Sequence, residues 1–159
     1  MKKYKHRIVD FILERKLKGM GAVLIEGPKW CGKTTTAEVM AKSVLYMNDH
    51  KKSGMYQQLA KMSPQTLLEG ETPKLIDEWQ LAPNLWDTIR FEVDHRDEEG
   101  QFILTGSTVP ANTDEIWHSG TGRFARIKMR PMSLWESEDS QGSISLMDMF
   151  EGKAKTGLC

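Results

Sequence analysis

The sequence is short of cysteine, has no excess of either charge and contains no long apolar run. Each shortage removes a class of function. Only Cys31 and Cys159 stand among 159 residues, too few for a disulfide framework. With Cys31 inside a glycine-rich turn, the pair suits a reduced, cytoplasmic protein. Lysine plus arginine number 22 and aspartate plus glutamate 22. That balance gives no global electrostatic case for a nucleic-acid or membrane partner. One local exception, MKKYKHR at the amino terminus, reads as a solvated terminus or as a phosphate contact. No apolar run approaches the roughly 18 residues of a membrane span, and the charged start lacks the apolar segment of a secretory signal. The four histidines and two cysteines show no metal-ligand spacing, so no zinc site is predicted. No Ser-His-Asp motif occurs. A hydrophobic share of 39% with 28% charged residues describes a globular chain long enough for one substantial core.

What the sequence does contain is an alternation of apolar runs and helical periodicity. Val9, Ile12, Leu13, Leu17 and Met20 fall on one helical face. GAVLIE then reads as a short strand of a parallel sheet, buried on both faces. Ala37, Met40, Ala41 and Val44 repeat at helical spacing, and SVLYM reads as a further strand. Ser63-Pro64 opens a helix, with a capping hydroxyl followed by proline at the first position. PKLIDE is a strand ending in two carboxylates. Trp86, Ile89 and Val93 mark a helix whose charged end leads into the strand QFILTGS. A polar loop, TVPANTDEIWHSGTG, precedes a last strand at FARIKM. Strands alternating with helices predict an α/β fold: a mostly parallel sheet of about five strands with helices on both faces. After Pro131 this rhythm stops.

The chemistry begins at GPKWCGKTT. Glycines allow close backbone approach, and N–H groups converging at a helix start suit a chain of phosphates. Gly27, Gly32, Lys33 and Thr34 satisfy the spacing GxxxxGK[ST] of a phosphate-binding loop. Lys33 is expected to reach the β- and γ-phosphates, and the Thr34 hydroxyl to hold Mg²⁺. The binding stretch comprises Gly27, Pro28, Lys29, Trp30, Cys31, Gly32, Lys33, Thr34 and Thr35, with Trp30 and Cys31 contributing mainly backbone. A Cys31 thiol near a helix start also suits redox sensing. In KLIDEWQ, Asp77 ends an apolar strand and supplies a carboxylate to the metal. Glu78 beside it is placed to orient or deprotonate a water attacking the γ-phosphate. FILTGS puts Ser107, with Thr105 as the alternative, beside that water. HSGTGRFAR carries Arg123 and Arg126; Arg123 is the preferred arginine finger, acting on a neighbouring subunit of a homo-oligomer. The five tryptophans and ten methionines read as core and interface residues.

GPKWCGKTTTA, LIDEWQLAPNLWDTIRFEVD, GQFILTGS and SGTGRFARIKMRPMSLWE together resemble the amino-terminal domain of a bacterial and archaeal group of AAA-superfamily ATPases. The resemblance runs from about Tyr4 to Glu136. It implies a P-loop NTPase three-layer sandwich whose five-stranded core has the phosphate-loop strand at its centre. The Asp-Glu strand is then separated from it by FILTGS. It further implies Walker A roles for Lys33 and Thr34, Walker B roles for Asp77 and Glu78, and the sensor position for Ser107. ATP and Mg²⁺ are the implied ligands. Residues 1–136 form the implied ATPase domain, and 137–159 a tail or the opening of the carboxy-terminal domain into which members of the group continue. Beside a Mg²⁺-dependent ATPase, acting as a switch or motor fragment, two readings stay open. One is a nucleotide-binding interaction module without turnover. The other is a small-molecule kinase, for which no acceptor motif stands out.

Overall fold

The computed structural model describes residues 4–96, 98–107, 122–143 and 145–152. Most of the predicted polar loop, residues 108–121, and Cys159 lie outside the described residues. Five segments form strands: β1 Ala22–Glu26, β2 Ser43–Tyr46, β3 Lys74–Asp77, β4 Phe102–Gly106 and β5 Phe124–Lys128. They make one sheet in the order β2-β3-β4-β1-β5, and all four pairings are parallel. The loop-bearing β1 is interior, between β4 and β5, while β4 holds the middle place. β4 separates β3 from β1 as expected.

The two faces of this sheet explain why the apolar residues of β1 and β4, and Leu75 and Ile76 of β3, stand consecutively rather than alternating with polar ones. Ala22, Leu24, Ile76, Phe102 and Leu104 face one cluster, together with Leu67, Leu68, Leu85, Trp86 and Ile89 from helices. Val23, Ile25, Leu75 and Ile103 face the other, with Val9, Leu13, Leu17 and Ala37. Strands covered on both sides have no water-facing row, so period-two polarity disappears. The first cluster is closed by α4 Pro64–Leu68 and α5 Leu85–Arg96, the second by α1 Ile8–Leu17 and α2 Lys33–Met40. Helices therefore lie on both faces, the three-layer α/β sandwich of a P-loop NTPase.

Two local expectations need correction. Helix α2 stops at Met40, because Ala41 turns to an extended ψ of 138° and Lys42 N–H donates to the Pro73 carbonyl at 2.9 Å. Val44 accordingly belongs to β2. The amino-terminal basic stretch is not wholly solvated either: Arg7 is buried, and Asp10 accepts from its backbone N–H at 2.8 Å, starting α1. Helix α3, Ser53–Met62, was not anticipated. Only Ala60 of it is fully buried, while Tyr56 and Leu59 on the same face pack partly buried against the first cluster.

Contacts divide the chain into two units, Arg7–Pro131 and the two terminal segments 1–6 and 132–159. The first holds the sheet. In the second, Ser133 and Glu136 cap a turn reciprocally: Ser133 N–H and Oγ donate to Glu136 at 2.8 and 2.9 Å, and Glu136 N–H returns to Ser133 Oγ. Farther on lies α6, Leu146–Phe150, with no buried residue.

Candidate functional site

Parallel strands deliver their carboxyl ends to one edge of the sheet, and three of those ends carry the predicted chemistry. β1 runs into the glycine-rich loop, β3 into Asp77 and Glu78, and β4 into Ser107. Open parallel sheets bind ligands at this edge.

The loop is built around two backbone constraints. Gly32 sits at φ +96°, a left-handed conformation that costs a side-chain-bearing residue energy, and α2 starts directly after it. Gly27 is required by contact instead. A Cβ there would stand 2.3 Å from the Met129 carbonyl oxygen and 3.1 Å from Cys31 Sγ. The base of the loop is thus braced against the end of β5, where Met129 N–H also donates to the Glu26 carbonyl at 2.7 Å. Lys33, 6% exposed, folds over the loop and donates to the carbonyls of Gly27 at 3.0 Å and Pro28 at 2.9 Å. Two of its three ammonium hydrogens are engaged, which fixes the cation at the mouth of the loop. Pro28, Lys29, Trp30 and Thr35 are exposed, whereas Cys31 is a buried free thiol packed in the cluster of α1 and α2. Burial among apolar groups does not suit a redox sensor.

Asp77 joins the loop to the sheet. Thr34 Oγ1, at the start of α2, donates to Asp77 Oδ1 at 2.6 Å across 43 positions of sequence. Thr105 Oγ1 donates to the same oxygen, also at 2.6 Å, because the β3–β4 register sets Asp77 opposite Thr105. Thr105 is therefore a partner of Asp77, and Ser107 takes the other carboxylate. Ser107 Oγ donates to Glu78 Oε2 at 3.3 Å, and the Gln80 side-chain amide donates to that oxygen as well. Glu78 itself has φ 56° and ψ 48°. A left-handed non-glycine residue costs about 1 kcal/mol, and such strain gathers where side-chain aim matters. This backbone turn separates two neighbouring carboxylates, sending Asp77 to Thr34 and Glu78 to Ser107.

The donor set fits a magnesium nucleotide. A hydroxyl and a carboxylate oxygen 2.6 Å apart are hard oxygen donors, the type Mg²⁺ prefers. Among the described residues no group of three or more His, Cys, Asp or Glu gathers as a metal site. A cation held here would take further ligands from water and phosphate, which is how Mg²⁺ is commonly bound. Beside the loop, a cavity of about 660 Å³ is lined by Glu26, Gly27, Pro28, Ser107, Arg126 and Lys128, among others. Arg126, opposite Leu24 in the β1–β5 register, reaches diagonally to pair with Glu26 at 2.7 Å.

A family model described as an AAA domain matches residues 20–138. The chain belongs to the AAA domain family. No curated protein sequence matches it. Among solved structures, C. elegans PCH-2 is similar with a TM-score of 0.48 at 15% identity, covering 82% of this chain and 43% of that one. The crystal structure of Saccharomyces cerevisiae RIF2 has a TM-score of 0.38 at 9% identity, covering 91% of this chain and 66% of that one. This AAA domain thus spans less than two thirds of either.

Arg123 is the one predicted site residue of the AAA domain that the fold does not bring to the others. It precedes β5, and its carbonyl accepts from Ala22 N–H at 3.1 Å, at the start of β1. The loop leaves the other end of β1, roughly 15 Å away at the usual rise per strand residue. Its Nε donates to Asp94 Oδ1 of α5 at 2.5 Å. That hydrogen bond and charge hold the Asp94 carboxyl below the usual carboxylate range and push the Arg123 guanidinium upward. Sequence reasoning missed Gln80 and the orienting role of Thr105. Gln80 lies in the quoted stretch KLIDEWQ, but its aim depends on the turn at Glu78. At the β2 end, Tyr46 donates to the Glu38 carboxylate. That bond, with burial and the Glu38 charge, raises its pKa to about 12. Among the described residues, no helix is long and apolar enough to cross a membrane.

Proposed function

We propose that this AAA domain binds ATP with Mg²⁺ and hydrolyses it. The observation that carries the reading is the 2.6 Å contact between Thr34 and Asp77. It joins the last position of the phosphate-loop motif to the carboxylate ending β3. Gly27 through Thr35 would wrap the phosphates with backbone N–H groups, and Lys33 would add its charge at the loop mouth. Thr34 and Asp77 would hold Mg²⁺, which when bound neutralises charge on the phosphate oxygens. Glu78 would take the proton of an attacking water, oriented by Ser107 and Gln80. A guanidinium is the remaining requirement for stabilising charge at the reacting phosphate. Arg123, at the far end of its own sheet, would supply it to a neighbouring subunit. The preference for adenine rests on the resemblance to AAA-superfamily ATPases, as does a carboxy-terminal partner domain beyond residues 1–136, while a cytoplasmic setting rests on the presence of only two cysteines.

The test is phosphate release from Mg-ATP across a range of protein concentrations, with Lys33→Ala as control. Specific activity should rise with concentration and vanish in the variant. Undiminished nucleotide affinity in Lys33→Ala, read by calorimetry, would remove the phosphate-loop assignment. A second reading, a nucleotide-binding module without turnover, draws on the Arg123–Asp94 pair, which leaves that arginine engaged away from the loop. ATP bound at every concentration without phosphate release would establish it.

A further inference from the structure

The position of Arg7 is unusual for a basic residue near a chain terminus: it is 6% exposed. Its guanidinium is turned from solvent into the protein. Nη1 donates to the Cys31 carbonyl at 2.9 Å and Nη2 to the Arg130 carbonyl at 3.0 Å. Nη1 also lies against the glycine that follows, since a Cβ on Gly32 would stand 3.2 Å from it. One side chain therefore ties the start of α1, the back of the phosphate loop and the chain leaving β5.

The bond to Cys31 has a directional effect. The cis peptide bond among the described residues is Thr72–Pro73, so the Cys31–Gly32 peptide is trans. In a trans peptide the carbonyl and the next N–H point in opposite directions. Drawing the Cys31 carbonyl back toward Arg7 turns the Gly32 N–H outward, away from the guanidinium. A glycine at φ +96° has wide backbone freedom, so that peptide plane needs an external hold. The Arg130 carbonyl supplies the fixed end, next to Met129, whose own carbonyl packs against Gly27.

We infer that Arg7 is a positioning residue of the phosphate loop, holding the Cys31–Gly32 peptide so that Gly32 N–H is presented to phosphate. The inference rests on the nucleotide-binding reading above. A residue acting on the phosphate cradle and not on the base should affect any ligand carrying the same phosphates.

The experiment compares the parent chain with Arg7→Ala and Arg7→Lys, measuring affinity for Mg-ADP and for inorganic pyrophosphate. The Gly32 amide resonance of the ligand-free protein is followed alongside. Losing hydrogen bonds from a charged donor predicts roughly a tenfold to hundredfold weakening in Arg7→Ala, by the same factor for both ligands. The Gly32 resonance should shift, and added guanidinium ion at non-denaturing concentration should restore part of the affinity to that variant alone. Arg7→Lys keeps the charge and can reach one carbonyl, so its loss should be smaller. If Arg7→Ala does not fold, Arg7→Lys is read, and parent affinity with an unmoved Gly32 resonance overturns the inference. A folded Arg7→Ala with parent affinity overturns it too, as does a loss that guanidinium does not repair. Those results leave the nucleotide reading standing. A parent chain that binds neither ligand defeats both.

Discussion

Gly27→Ala isolates the close packing beneath the phosphate loop, because the added methyl has one main obstacle. Its Cβ would lie 2.3 Å from the Met129 carbonyl oxygen, where ordinary contact begins at 3.4 Å, so something must move by about 1 Å. The obstacle is backbone, and it is anchored. Met129 N–H is bonded to Glu26, and the Arg130 carbonyl accepts from buried Arg7. Relief therefore has to come from displacing either the loop or the end of β5. Overpacking of this kind costs about 1–3 kcal/mol, equivalent to a melting point lowered by about 2–12 °C for a chain of this size. A 1 Å displacement of the loop should also lower turnover by about a hundredfold. Gly54→Ala is the internal control. That glycine lies in α3 with nothing within 4 Å of the added methyl, and helix propensity predicts a gain of about 0.5–1 kcal/mol. Thermal unfolding of both variants, with nucleotide affinity measured in parallel, gives opposite signs if the packing argument is right. Gly27→Ala melting and binding like the parent would refute it.

Three further outcomes are expected. Glu78→Gln should retain ATP binding while turnover falls by about a hundredfold or more, the usual scale for losing a general base; parent-like turnover removes Glu78 from the mechanism. Thr34→Val keeps the branched shape but deletes the hydroxyl bonded to Asp77. Calorimetry with and without Mg²⁺ should show the metal's enhancement of ADP affinity reduced by about tenfold, and an undiminished enhancement would exclude Thr34 as a ligand. Tyr46 has its pKa raised from 10.0 to about 12 by Glu38. The unfolded chain gives up that proton first, so this contribution to stability is whole below pH 10 and is lost as pH rises toward 12. Glu38→Gln should move the tyrosinate absorbance step back toward 10, and a step that stays put would contradict the contact.

Much of the fold is legible because parallel strands covered on both faces leave uninterrupted apolar runs. AVLI within β1 and FIL within β4 carry that mark, and a glycine-rich turn after the first fixes where α2 must start. Strand order is legible only through the family resemblance, and register is not legible at all. Thr105 and Ser107 stand two apart in one strand end, and only the pairing of β3 with β4 assigns the first to Asp77. Asp77 and Glu78 are neighbours in sequence, yet a left-handed turn at Glu78 sends them to different partners. Arg123 follows a glycine-rich segment and looks suited to a phosphate site. β5 runs parallel to β1, so its start lies at the edge opposite the loop. Arg7 has no motif at all, since its role depends on two carbonyls far along the chain.

The two threonine hydroxyls that meet Asp77 also sort charge across the site. Each points its hydrogen at the same carboxylate oxygen, so the lone pairs of Thr34 Oγ1 are turned away from that bond. The glycine-rich turn does the reverse, offering hydrogens from backbone N–H groups. The oxygen lone pairs beside Asp77 suit an electron-poor species, and the N–H groups of the turn an electron-rich one. A cation and an anion entering together are each directed to a separate side, and either of them alone meets only half of a binding surface.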